Sequence, residues 1–189
     1  PEHGYYTTRD PFGAEGDFTT APEISQMFGE LVGLCLAQGW MDQGAPAAIV
    51  LAELGPGRGT LMADILRATR GVPGFHDALR VVLVEASETL RARQQSALSG
   101  YGVTWADRVE DIPPGPLFLV ANEFFDALPV RQFLRDGADW RERQVGLEGN
   151  TLSFGLGGPV ALSALDRFAD AQDGDLVELR PAGDAVMAE

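Results

Sequence analysis

Three alternating glycines follow an acidic residue in Glu53-Leu54-Gly55-Pro56-Gly57-Arg58-Gly59. Glycine lets a backbone turn tightly and lets a ligand approach where a Cβ would collide. The apolar stretch Ile49-Val50-Leu51-Ala52 just before it reads as a buried strand. Glu53 thus falls at a strand's carboxyl end, where open α/β sheets bind ligands. A second acid, Glu85, closes the next apolar run, Val81-Val82-Leu83-Val84. A carboxylate there can accept hydrogen bonds from both hydroxyls of an adenosine ribose.

The spacing discriminates between cofactors. A dinucleotide site needs G-x-G-x-x-G and a pyrophosphate on the helix N-terminus. Here the run is G-x-G-x-G, and Thr60 stands where the third dinucleotide glycine belongs. Glu53 suits an ammonium better than a phosphate. S-adenosylmethionine (SAM) carries an ammonium, a sulfonium and a ribose diol and no phosphate, so it is favoured over NAD or FAD. An NAD-dependent oxidoreductase stays as an alternative, as does a glycine turn that only packs a helix on a strand. Arg58, inside the turn, could hold the SAM carboxylate or be an ordinary exposed arginine. A further apolar run, Leu117-Phe118-Leu119-Val120, leads into Asn122-Glu123-Phe124-Phe125-Asp126. Asn122 and Glu123 are expected to line the reacting centre, with Asp126 in support. The competing reading makes Asn122 a helix N-cap and Glu123 a first-turn acid.

Composition narrows the class. All 14 basic residues among the 189 are arginines, against 28 acids, for a formal charge of −14. Without lysine there is no P-loop, Schiff-base or kinase-type lysine. Cys35 alone forms neither an internal disulfide nor a cysteine-based zinc site, and His3 and His76 leave little for a histidine metal centre, so no metal is expected. The acidity repels phosphate backbones, so no nucleic-acid partner is expected. It favours a basic partner, although solubility alone explains it more simply. No apolar run is long enough to span a membrane. Pro1-Glu2-His3-Gly4 does not read as a signal peptide, and a cytoplasmic setting is expected.

These residues need elements to hold them. Gly4 to Ala21 read as an aromatic, glycine-rich loop. A helix is expected from Pro22 to about Trp40, with Ile24, Met27, Phe28, Leu31, Val32 and Cys35 facing the core. Another begins near Thr60, with Leu61, Met62, Ile65 and Leu66 inward, and stops at Gly71. Ser87 caps a third, which carries Leu90, Ala97 and Leu98. Val103-Thr104-Trp105 is a weaker strand. Alternating strands and helices argue a parallel α/β sheet. After Pro129 the pattern turns meander-like, with strands at 131–134, 140–145 and 151–154. A short helix carrying Leu162, Leu165 and Phe168, a strand at 176–179 and a helix start follow.

Gly4-Tyr5-Tyr6, Gly16-Asp17-Phe18-x-Thr20-x-Pro22-Glu23-Ile24-Ser25 and Phe28-Gly29-Glu30 resemble the N-terminal signature of the MidA-type methyltransferases. These are relatives of the complex I assembly-factor arginine methyltransferase. The glycine run and Asn122-Glu123-Phe124-Phe125-Asp126-Ala127-Leu128-Pro129-Val130 are similar to that family's next signatures. The resemblance implies a class I SAM-methyltransferase fold, a Rossmann-like parallel sheet that is incomplete here. It also implies an N-terminal loop and helix and a β-rich insertion after the fourth strand. It divides the chain into 1–47 covering the site, 48–130 as the SAM-binding core and 131–189 as the insertion and the start of a helix. Family chains run further at both ends, so the sequence reads as a fragment. For the mitochondrial branch the resemblance implies arginine dimethylation on a complex I subunit, and hence a matrix location, an arginine-bearing protein substrate and a homodimer as an assembly to test. Asp17 would lie over the cofactor. A SAM-fold assembly module without turnover is the remaining alternative.

Overall fold

Ile49–Leu54 (β1) is buried at every position, as a strand covered on both faces must be. It is the centre of a parallel sheet whose order explains that burial. Leu79–Val84 (β2) pairs with one side of β1 and Leu117–Val120 (β4) with the other, while Val103–Ala106 (β3) lies outside β2. The spatial order is β3-β2-β1-β4, all parallel. The computed structural model describes residues 20–188, and the chain divides after Asp126 into two compact units. Asp17, Tyr5, Tyr6 and Phe18 lie outside the described residues.

The helical connections of the first unit follow from capping and packing. Thr60–Ala68 (α3) turns Leu61, Met62, Ile65 and Leu66 into the core beside Leu51, Val81 and Leu83, as their spacing predicts. A short helix, Phe75–Ala78 (α4), follows. Glu88–Ala97 (α5) is capped by Ser87, whose Oγ accepts from the Leu90 amide at 3.5 Å. Leu90 and Leu98 face inward, but Ala97 is exposed.

The N-terminal helix differs from its expected form. It is two pieces, Ala21–Ile24 (α1) and Gln26–Asp42 (α2), broken at Ser25, which is extended and caps α2 by accepting from the Met27 amide. Four of its six expected core side chains also point the other way, while Phe28 and Val32 pack against the core as expected. Ile24, Met27 and Leu31 are 72%, 64% and 59% exposed, and Cys35, expected in the core, is exposed too. Phe28 and Val32 are half-buried. The buried face is Gly29, Gly33, Ala37 and Trp40. A Cβ on Gly29 would lie 2.6 Å from the Asp64 Cβ, and one on Gly33 would lie 2.9 Å from the Ile65 Cα. The helices α2 and α3 therefore touch nearly backbone to backbone, with Phe28, Val32 and Leu36 packing against the core beside the contact and Ile24, Met27, Leu31 and Cys35 left on the outer side. Near its end, Trp40 donates its indole N–H to the Pro46 carbonyl at 2.9 Å and meets Phe75 edge-on.

The second unit is an antiparallel sheet of order β7-β6-β5-β8. Its strands are Arg131–Asp136 (β5), Asp139–Glu148 (β6), Thr151–Val160 (β7) and Leu176–Leu179 (β8). They are longer than expected for β5 to β7 because β6 and β7 form one long hairpin, irregular between Arg141 and Arg143. Phe133, Trp140, Leu165 and Leu179 make its core. The expected helix around Leu165 is a 3-10 turn, Ser163–Phe168, and Pro181–Ala188 (α6) follows β8. Among the described residues the far half of the hairpin is paired only within itself, and Val145, Leu147, Leu152 and Phe154 are exposed on it.

The close helix contact makes a paired prediction. Gly33→Ala should destabilise the protein by about 1–3 kcal/mol, because its methyl group meets backbone. Gly39→Ala on the same helix, with the Phe118 ring 3.6 Å away, should be neutral or gain up to about 1 kcal/mol from helix propensity. Urea unfolding of the two variants measures the difference.

Candidate functional site

The four parallel strands end at one edge and bring the acids there. Glu53 lies in register with Leu83 of β2 and Val120 of β4. Beyond it, the Gly55 amide donates to the Val84 carbonyl at 3.1 Å, and the Glu85 amide donates to the Ala106 carbonyl at 3.0 Å. The turn between β1 and α3 is left-handed at Gly55, Gly57 and Gly59, with φ of 59°, 54° and 84°. Side chains other than glycine rarely accept that backbone. Gly55 has a second reason to be glycine: a Cβ there would come 2.8 Å from the Phe124 ring. The segment after β4 thus packs directly on the first glycine.

Glu53 is 3% exposed, and its Oε2 has no hydrogen-bond partner. Burial pushes its carboxyl up to about 8. An acid so placed is neutral in the ligand-free protein at neutral pH and is restored to its charged form by a nearby cation. Glu85 is half-buried, with both oxygens held: Oε1 accepts from the Ser87 amide at 2.8 Å and Oε2 from the Gln94 Nε2 at 3.4 Å. Burial raises its pKa, and the Ser87 amide, Gln94 and the Arg91 charge oppose that rise. Arg91 ties β2 to β3 by donating to the Glu85 carbonyl at 2.6 Å, the Ala106 carbonyl at 3.1 Å and the Asp107 carboxylate at 2.6 Å.

Asn122 is half-buried, while Glu123 and Asp126 are exposed. Glu123 holds φ at +53°, one of two left-handed residues other than glycine among those described. Such a conformation costs about 1–3 kcal/mol and persists where its surroundings impose it. No α-helix begins there. The chain passes through a bend into a 3-10 turn at Phe125–Ala127, so Asn122 caps no α-helix. Arg58 is half-buried. His76 is tied to Thr69, its Nε2 lying 3.0 Å from the hydroxyl.

Three features of this edge were not read from the sequence. Gln94 is fully buried between Leu90 and Leu98, where the helical spacing asks for an apolar residue. That polar interruption of an inward stripe was the available signal. Thr60 donates its hydroxyl to the Glu23 carboxylate at 2.8 Å, bringing an acid to the start of α3. A pyrophosphate would meet that acid at the position where dinucleotide folds offer it a helix N-terminus. Phe124 covers Gly55, a contact no local pattern announces. Among the described residues, no group of histidine, cysteine and acids could hold a metal ion, and no helix is long and apolar enough to cross a membrane.

A parallel α/β sheet with an acid-flanked glycine turn at its carboxyl edge defines a nucleoside-binding class of fold, and comparison with known proteins narrows it. Residues 31–189 match a family described as "Putative S-adenosyl-L-methionine-dependent methyltransferase". Two relatives are each named protein arginine methyltransferase NDUFAF7, mitochondrial. That of Xenopus laevis is 36% identical over 99% of this chain and 49% of its own length. That of Homo sapiens is 36% identical over 100% of this chain and 49% of its own length. A crystal structure of a Burkholderia thailandensis protein bound to S-adenosyl-homocysteine superposes with a TM-score of 0.76 at 30% identity, covering 95% of this chain and 47% of that one. The chain belongs to this SAM-dependent methyltransferase family, of the MidA type its signatures indicated. It spans about half the length of the curated relatives it matches.

Glu53 also leaves a mark on stability. Its folded pKa lies above the unfolded value, so its contribution is fully present below about pH 4.5 and is lost as pH rises through about 8. Glu53→Gln removes that loss. The melting temperature of the ligand-free variant should therefore exceed that of the wild type by a margin that grows from about pH 5 to about pH 8 and then levels off, as followed by circular dichroism.

Proposed function

We propose that this chain binds SAM at the carboxyl edge of its parallel sheet and serves methyl transfer to an arginine side chain of a protein. The observation that carries the reading is the buried Glu53 carboxylate without a protein partner, beside a glycine turn and one strand from Glu85. Those residues fit an ammonium, a close-lying chain and a ribose diol. When bound, the cofactor supplies the methyl group on its sulfonium.

Each residue has a role in that reading. Glu53 holds the ammonium. Gly55, Gly57 and Gly59 let the backbone approach the ligand. Glu85 accepts from the ribose hydroxyls. Asp17, in the signature preceding the described residues, is a further candidate for contacting the cofactor. Asn122 and Glu123 line the reacting centre, and Asp126 supports them. An arginine nucleophile starts as a guanidinium, protonated at any physiological pH. The Glu123 carboxylate can grip it, turn one nitrogen toward the methyl group and take the proton released. Glu123 has a left-handed backbone and an exposed side chain, which leaves the carboxylate accessible to such a substrate. The names of the relatives and the excess of acids over bases favour an arginine-bearing partner, with a complex I subunit as the substrate to test and the mitochondrion, named for the relatives, as the setting to test. The Glu23–Thr60 pair at the start of α3 speaks against a dinucleotide cofactor.

Two measurements check this. If Glu53 ionises on taking the ammonium, binding releases a proton, and SAM affinity should rise about tenfold from pH 6 to pH 7. Calorimetry in buffers of different ionisation enthalpy reads the proton, and Glu53→Gln should abolish both slope and release. In the whole protein, Glu123→Gln should bind SAM normally yet transfer methyl groups to the substrate about 100-fold more slowly. Undiminished turnover would remove Glu123 from the chemistry, and SAM binding without any transfer by the wild type would favour an assembly module.

A further inference from the structure

We propose that Gln94 is a positioning residue of the cofactor site, its amide locking the glycine turn and the Glu85 carboxylate into one unit that receives the ribose. This rests on the SAM assignment above and adds to it a residue that touches none of the reacting atoms. Gln94 has no exposed surface. Its Nε2 donates to the Gly57 carbonyl at 2.7 Å and to the Glu85 Oε2 at 3.4 Å, and its Oε1 accepts from the Trp105 indole N–H at 2.8 Å. An indole can only donate and a backbone carbonyl can only accept, so these partners fix which end of the amide faces which way. The Ser87 amide holds the other Glu85 oxygen. The carboxylate therefore cannot rotate without breaking a bond on one side. Gly59 completes the arrangement: a Cβ there would lie 3.3 Å from the Gln94 Cγ and 3.4 Å from its Cα, so α5 approaches the turn closely.

Packing alone does not call for this residue. Leu90 and Leu98 flank it on the same inward face, and a leucine would continue the stripe. Replacing a satisfied buried polar set by apolar groups of like shape is often nearly neutral for stability. What the amide adds is geometry: a fixed distance between the backbone of the turn after β1 and the acid after β2. A SAM molecule held by both needs that distance set before it arrives.

The test is Gln94→Glu, which keeps shape and reverses one contact. A charged carboxylate at 94 would face the Gly57 carbonyl and Glu85, with Arg91, itself paired with Asp107, three residues earlier on the same helix and Arg58 next to Gly57 in the chain. Protonated, it can donate once to Gly57 and still accept from Trp105. SAM affinity, relative to wild type at the same pH, should be weaker by about tenfold or more at pH 8 and recover toward wild type at pH 6. A purely packing role predicts a ratio that does not change with pH. Isothermal titration of the whole protein with SAM reads the ratio, and ligand-free melting establishes that the variant folds. If Gln94→Glu does not fold, Trp105→Phe takes its place: it removes the indole donor, leaves the buried Gln94 Oε1 unpaired so that the melting temperature falls, and should weaken SAM about fivefold when measured well below that temperature. A flat ratio for Gln94→Glu, or an unaltered affinity for Trp105→Phe, overturns the role of Gln94. A wild type that does not bind SAM at any pH overturns the cofactor assignment instead.

Discussion

A carboxyl group sealed at the end of the central strand is the constraint around which the rest of the first unit is arranged. Burying it charged without a partner would be costly, and burial pushes its pKa up to about 8. β1 places it there because the strand is covered on both faces along its whole length. The glycines beyond it let the chain reverse immediately, so the acid is followed by a shallow backbone saddle. β2 and β4, in register on either side, bring Glu85 and the Asn122–Glu123 segment to the same edge.

The same edge is braced laterally. Arg91 links the ends of β2 and β3, Gln94 links the turn to Glu85 and Trp105, and Phe124 covers Gly55. None of these side chains belongs to the glycine motif, yet each limits how far one strand end can move relative to the next. A ligand spanning two or three strand ends meets a site whose distances are set by packing and hydrogen bonds rather than by the loops alone.

Much of this was legible in the sequence because burial on both faces writes continuous apolar runs. β1 and the inner part of β2 announced themselves that way, β4 did so by an apolar run although Leu117 and Leu119 are exposed, and the spacing of Leu61, Met62, Ile65 and Leu66 announced α3. The two acids were legible because each closes such a run. The orientation of α2 was not. Its contact is made by Gly29, Gly33 and Ala37, which contribute little to an apolar pattern, so the pattern pointed to the wrong face. The break at Ser25 was hidden by good helix formers on both sides. The length of β7 was hidden by Gly155, Gly157, Gly158 and Pro159, residues a strand admits only when its partner holds the ladder. Gln94 and Glu23 act through partners far along the chain, and no local window contains both ends of such a bond.

The far half of the β6–β7 hairpin, paired among the described residues with nothing but itself, has a consequence for how the molecule breathes. Two strands alone are marginal in water, so its backbone amides can open without disturbing the core around Phe133 and Trp140. Deuterium should enter this ribbon through local fraying, while the amides of β1 wait for the whole first unit to come apart. The two ends of the stability scale thus lie in different units of one chain, and the carboxyl group that matters most sits at the slow end.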